Sequence, residues 1–153
     1  MIEKIVKESL LEFDRGVDPM KALSLGGVEK IEKWLRKFVF KVQYRINPDY
    51  TIDIICGDFI VFGYEFRDGM GIPEYISFNE CKGSFIINGK NLPDLYGCPK
   101  IVKGDFVVPN NKIVSLKGSP SVVGGDYIIV NNPVKFRVED IQRICKVGGK
   151  IIV

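Results

Sequence analysis

Leu95-Tyr96-Gly97-Cys98-Pro99-Lys100-Ile101-Val102-Lys103-Gly104-Asp105-Phe106 returns 21 residues later as Leu116-Lys117-Gly118-Ser119-Pro120-Ser121-Val122-Val123-Gly124-Gly125-Asp126-Tyr127. Self-similarity at a fixed period marks stacked supersecondary units, each completing the apolar core of its neighbours. Gly83-Ser84-Phe85 extends the series upstream at the same spacing of 21. Gly57-Asp58-Phe59 lies a further 26 residues back, and Val147-Gly148-Gly149-Lys150-Ile151-Ile152 echoes Val123-Gly124-Gly125-Asp126-Tyr127-Ile128 after 24. About five β rungs are therefore expected. Within a unit the aromatic opens the series Phe106, Val108, Asn111, Ile113 and Leu116, repeated as Tyr127, Ile129, Asn132 and Val134. Leu92 and Leu95 match Ile113 and Leu116 one copy earlier.

Alternating apolar residues followed by Asn resemble a leucine-rich repeat, LxLxxNxL, in which alternate strand residues face inward and the Asn supports the next turn. More narrowly, the block of form Leu-x-Gly-x-Pro-x-x-Val-x-Gly-Asp-Phe is similar to those iterated in leucine-rich-repeat-like accessory proteins of tailed bacteriophages. Glu12-Phe13-Asp14-Arg15-Gly16-Val17-Asp18-Pro19, followed by Ile46-Asn47-Pro48-Asp49-Tyr50-Thr51-Ile52-Asp53, resembles their shared N-terminal module. The resemblance implies an architecture and a phage-encoded protein at work in the infected bacterial cytoplasm. It implies no particular activity.

The chain has 153 residues, 46% of them hydrophobic and 27% charged, which suits one soluble domain with a useful core. Its longest apolar runs, such as Ile128-Ile129-Val130, have strand length, so neither a signal peptide nor a membrane span is expected. A net charge of +3, with basic residues dispersed among acids as in Glu29-Lys30-Ile31-Glu32-Lys33, gives no case for nucleic acid. With no histidine, a zinc site would need all four of Cys56, Cys81, Cys98 and Cys145, which lie far apart without a Cys-x-x-Cys pair. Neither a metal nor a cofactor is expected. Repeat alignment sets Cys81 in the core beside Val102 and Val123, and Cys98 in a turn at the position of Ser119.

The ends read differently. Ile2, Ile5, Val6, Leu10 and Phe13 recur at helical spacing, Asp18-Pro19 opens a second helix that stops at Gly26-Gly27, and Val28 to Phe38 forms a third with Val28, Ile31, Trp34, Leu35 and Phe38 on one face. Asn47-Pro48-Asp49 joins a hairpin of Lys41 to Ile46 and Thr51 to Cys56. Arg137 to Cys145, with Val138, Ile141 and Ile144 at helical spacing, precedes a last strand from Lys150 to Val153. The expected fold is α+β: residues 1–40 form a helical N-terminal cap, and 41–153 a hairpin plus leucine-rich-repeat-like solenoid with a C-terminal capping helix, in one compact domain.

If Phe59, Phe85, Phe106 and Tyr127 point inward, then Ile60, Ile86, Val107 and Ile128 line the opposite face, beside Phe62, Asn88, Pro109 and Val130. Ile60, Phe62, Ile86, Val107, Ile128 and Val130 are the candidate binding residues. Either the N-terminal helices fold across this column or part of it meets a partner, and the two can coexist. Asp58, Ser84, Asp105 and Asp126 form a second column, readable as a cation or acid/base site or as acceptors for turn amides. Asn110-Asn111 and Asn131-Asn132 fit turn support better than ligand reading. No nucleophile–His pair, P-loop or dinucleotide fingerprint is present, so the expected function is a non-enzymatic protein-binding module, a phage accessory protein docking on a host or phage protein. Two other readings stand beside it. One is a virion or assembly component that self-associates through the same apolar face; separately, the strand ending on Val153 is an open edge on which a second copy can pair. The other is a binder of a small ligand such as a signalling nucleotide, through Lys100, Lys103, Lys112 and Lys117.

Overall fold

A computed structural model describes residues 27–37, 42–61 and 71–153. The elements are helix α1 (Gly27–Leu35), strands β1 (Gln43–Ile46), β2 (Ile52–Cys56), β3 (Phe59–Val61), β4 (Phe78–Cys81), β5 (Phe85–Ile87), β6 (Ile101–Val102), β7 (Phe106–Val107), β8 (Val122–Val123) and β9 (Tyr127–Ile128), then helix α2 (Val138–Gln142) and strands β10 (Lys146–Val147) and β11 (Ile151–Ile152).

Two sheets result. β2, β4, β6, β8 and β10 stack in parallel, with β1 antiparallel to β2 at the outer edge. β3, β5, β7, β9 and β11 stack in parallel as the second sheet. The chain is a β-solenoid of about four turns. Each repeat therefore holds two short strands, where a leucine-rich repeat has one. The extra strand comes from the Gly-Asp step, which turns a corner between the sheets instead of opening a single strand. The return segments, such as 109–121, consist of turns and irregular chain rather than helix.

The core is built as the repeat predicts. Phe59, Phe85, Phe106 and Tyr127 are buried, and the first three rings stack with centroids 4.9 and 6.1 Å apart. Tyr127 tilts against Phe106 at 5.0 Å. Such pairs add about 0.5–1.5 kcal/mol each beyond the area they bury. Val61, Ile87, Val108 and Ile129 form the next inward column, and Ile54, Cys81, Val102 and Val123 face them from the first sheet. Leu92, Leu95 and Ile113 close the third side.

The first two expected helices lie outside the described residues, as does Phe38. The third is present, ends at Leu35, and buries Val28, Ile31, Trp34 and Leu35 in the common core. Trp34 stacks 6.3 Å from Phe59 and lies 6.4 Å from Phe78, so α1 packs on the inward residues of the first turn. The hairpin forms as β1 and β2, with Tyr50 held at φ 67 in its turn.

The C-terminal segment departs from expectation in three places. Helix α2 stops at Gln142, leaving Ile144 exposed while Cys145 is buried. Val134, aligned with the buried Ile113, is 41% exposed because Phe136, two residues on, fills the core instead. The final strand is shorter than Lys150 to Val153, spanning Ile151–Ile152.

Candidate binding face

Strand register brings the predicted column together. Ile60 pairs with Ile86, Ile86 with Val107, Val107 with Ile128, and Ile128 with Ile152. Successive rungs of a parallel sheet are about 4.8 Å apart, so these side chains form one continuous apolar ridge. The first four are half-buried and Ile152 is exposed. Ile152 was missed by sequence reasoning, although the 24-residue echo aligns it with Ile128. Phe62 lies outside the described residues. Val130 is half-buried, next to the ridge, and its carbonyl accepts the Asn110 N–H at 3.1 Å. Its counterparts are not uniform, since Asn88 is exposed and Pro109 buried.

The Asp column is a hydrogen-bond ladder. Asp58 Oδ1 accepts the Ser84 N–H at 2.8 Å, Ser84 Oγ accepts the Asp105 N–H at 2.9 Å, Asp105 Oδ1 accepts the Asp126 N–H at 2.7 Å, and Asp126 Oδ1 accepts the Lys150 N–H at 2.7 Å. Each side chain thus satisfies the corner amide of the following turn. Ser84 works because its hydroxyl is also an acceptor, and Lys150 can close the series because it contributes only its amide. Among the described residues no group of three or more His, Cys, Asp or Glu side chains is placed to hold a metal ion.

The Asn pairs divide the work between them. Asn111 is buried, and its Oδ1 accepts the N–H groups of Lys90 and Leu92 at 2.9 and 3.2 Å while its Nδ2 donates to the carbonyls of Ile87 and Pro109 at 2.8 and 3.1 Å. Asn132 does the same for Ile113 N–H and the carbonyls of Val108 and Ile129. Asn110 and Asn131 sit outside with φ 58 and 57, and their amides run a ladder to Asn88 with links of 3.0 and 2.9 Å.

At the far edge of the first sheet, Asp53 is buried between Arg45 Nη2 at 2.7 Å, Asn79 Nδ2 at 3.0 Å and the Glu80 N–H at 3.1 Å. Burial pushes its carboxyl up, but these donors together outweigh it and hold the group below the usual carboxylate range. They also bridge the bulge between Ile52 and Asp53, which makes this a structural pair.

Lys100 and Lys103 flank β6 on the first sheet, whereas Lys112 and Lys117 belong to the return segment, all four exposed. Cys81, Cys98 and Cys145 are buried and Cys56 is exposed. Among the described residues no helix is long and apolar enough to cross a membrane. Comparison with family models, curated proteins and solved structures found no match. The likeness to phage accessory proteins rests on the sequence blocks alone.

Proposed function

We propose that the chain is a non-enzymatic binding module that docks on a protein through the outer face of its second sheet. The observation that supports this reading is the registered ridge Ile60, Ile86, Val107 and Ile128, apolar in every rung and only half-buried. A sheet face with no partner is ordinarily polar, and a contiguous apolar one marks an interaction surface. The ladders of Asp and Asn hold the ridge rigid, which lowers the ordering cost of docking. In the finer form of this proposal α1 and the α2 segment cap the two ends of a leucine-rich-repeat-like stack. The protein then serves a tailed phage in the cytoplasm of its host, a reading drawn from the sequence blocks.

The test is the combined variant Ile86→Asp, Val107→Asp and Ile128→Asp, used beside the parent as tagged bait in bacterial lysate. Retained circular dichroism and melting, with loss of one stoichiometric partner, is the expected result. Loss of folding would identify the ridge as core. Concentration-dependent mass in the parent, abolished in the variant, would identify a second copy of the chain as the occupant.

A further inference from the structure

Asn88 is the one asparagine in the chain followed by glycine. The order matters chemically, because a following residue without a Cβ lets its backbone nitrogen reach the preceding side-chain carboxamide, an approach that any other residue obstructs. Both residues are exposed, at the bend where β5 leaves the second sheet.

The fold does not demand this pair. Gly89 takes a left-handed step at φ 67, which Asn110 and Asn131 take at φ 58 and 57 in the next two turns. A Cβ at Gly89 would come no nearer than 4.0 Å to any atom beyond its chain neighbours, the first being the Asn110 carbonyl oxygen. An asparagine would therefore serve this bend as well as the glycine does, and only the preceding Asn88 makes the glycine reactive.

Two hydrogen bonds from the next turn hold the reactants in place. The Gly89 N–H donates to the Pro109 carbonyl at 3.1 Å, and Asn88 Oδ1 accepts from Asn110 Nδ2 at 2.9 Å. The first keeps the proton on the nitrogen that would attack. The second fixes the carboxamide that would be attacked.

We propose that Asn88–Gly89 is a self-modification site that the following turn keeps latent, so that its conversion records how often this turn opens. In the open turn hydroxide removes the Gly89 amide proton, and the nitrogen attacks Asn88 Cγ. The N–Cγ bond forms, the Cγ–Nδ2 bond breaks, and Nδ2 leaves as ammonia with a proton from solvent, which closes a cyclic succinimide. Water then opens the ring at either carbonyl to give the carboxylate of aspartate or of isoaspartate, and nothing is oxidised or reduced. Aspartate still accepts the Asn110 amide, whereas isoaspartate adds a methylene to the main chain and draws Gly89 away from Pro109. Either product sets a negative charge beside Ile86 at the margin of the ridge. The chemistry is independent of what the ridge docks on.

The full chain and the peptide acetyl-Ile-Ile-Asn-Gly-Lys-amide are incubated side by side in mildly alkaline buffer, with conversion read by peptide-mapping mass spectrometry. Conversion in the folded chain should fall at Asn88 and be at least roughly tenfold slower than in the peptide. Amide exchange and ring closure both proceed from the opened turn, so the slowing should match the exchange protection of the Gly89 N–H, measured by NMR, to within about threefold. Asn110→Gly frees the Asn88 carboxamide and should speed conversion roughly three- to tenfold, the worth of one hydrogen bond. Gly89→Asn keeps the left-handed bend and should leave Asn88 intact over the half-life of the parent. Conversion as fast as in the peptide, none over the time that Gly89 exchange predicts, or a rate unmoved by Asn110→Gly would overturn the assignment.

Discussion

Asn110 and Asn111 are the same residue type side by side, yet they carry opposite loads. Asn111 makes four hydrogen bonds to the backbone from a buried position. Its replacement by Ala removes the acceptor shared by the Lys90 and Leu92 N–H groups and the donor to the Ile87 carbonyl, while the Pro109 carbonyl keeps the Gly89 N–H at 3.1 Å. With about 1–3 kcal/mol for each buried group left unsatisfied, Asn111→Ala should lose at least about 2 kcal/mol in chemical denaturation. Asn110 instead supplies a left-handed backbone at φ 58, the position that Gly89 fills one turn earlier at φ 67. Asn110→Gly should be nearly neutral, because the removed Cβ relieves the left-handed backbone as the lost amide links to Asn88 and Asn131 weaken it. Asn110→Ala keeps the Cβ crowding and loses the polar side chain that offsets it, and should cost about 1–2 kcal/mol. The sequence pairs announce turn support. Which member faces in depends on the left-handed step between them, a backbone property no side-chain pattern displays.

At the scale of elements, the second strand of each repeat was hidden. Ile101-Val102 and Val122-Val123 are too short to show a period, and the Gly-Asp after them reads as the entrance of one strand rather than a corner between two. The aromatic columns, by contrast, were legible because 21-residue register fixes what stacks on what. The corner ladder can be dissected by substitution. Asp105→Asn keeps an oxygen for the Asp126 N–H and should leave stability nearly unchanged, while Asp105→Ala removes a charged acceptor worth about 1.5–3 kcal/mol. Gly125→Ala should do more damage, since its Cβ would overlap the Asp105 carboxylate and lie 3.0 Å from the Gly104 backbone, forcing two turns apart. Equal melting temperatures for Asp105→Ala and Asp105→Asn would show that water replaces the carboxylate at the corner without cost.

For the whole molecule, stacking and burial were legible while the use of the outer face was not. Phe59, Ile60 and Val61 are apolar on both sides of the strand, a pattern that fits a sheet covered on two faces as well as one with a docking surface. The four thiols offer an independent check on how tightly the turns close. Cys81, in the column of Val102 and Val123, has no exposure, Cys98 and Cys145 have 5% each, and Cys56 lies at the surface. Burial pushes the Cys81 and Cys145 thiols up to about 11, and Cys98 higher still. Near pH 8 the thiolate fraction at Cys81 and Cys145 is about one in a thousand, and only the thiolate attacks a disulfide reagent. A colorimetric thiol assay on the folded chain should therefore count one fast cysteine, rising to four in guanidinium. Raising the pH toward 10 should accelerate the slow three less than their ionisation predicts, because opening of a turn must precede attack. A second fast thiol at pH 8 would place a loose turn in the stack, and the labelled residue would identify which one.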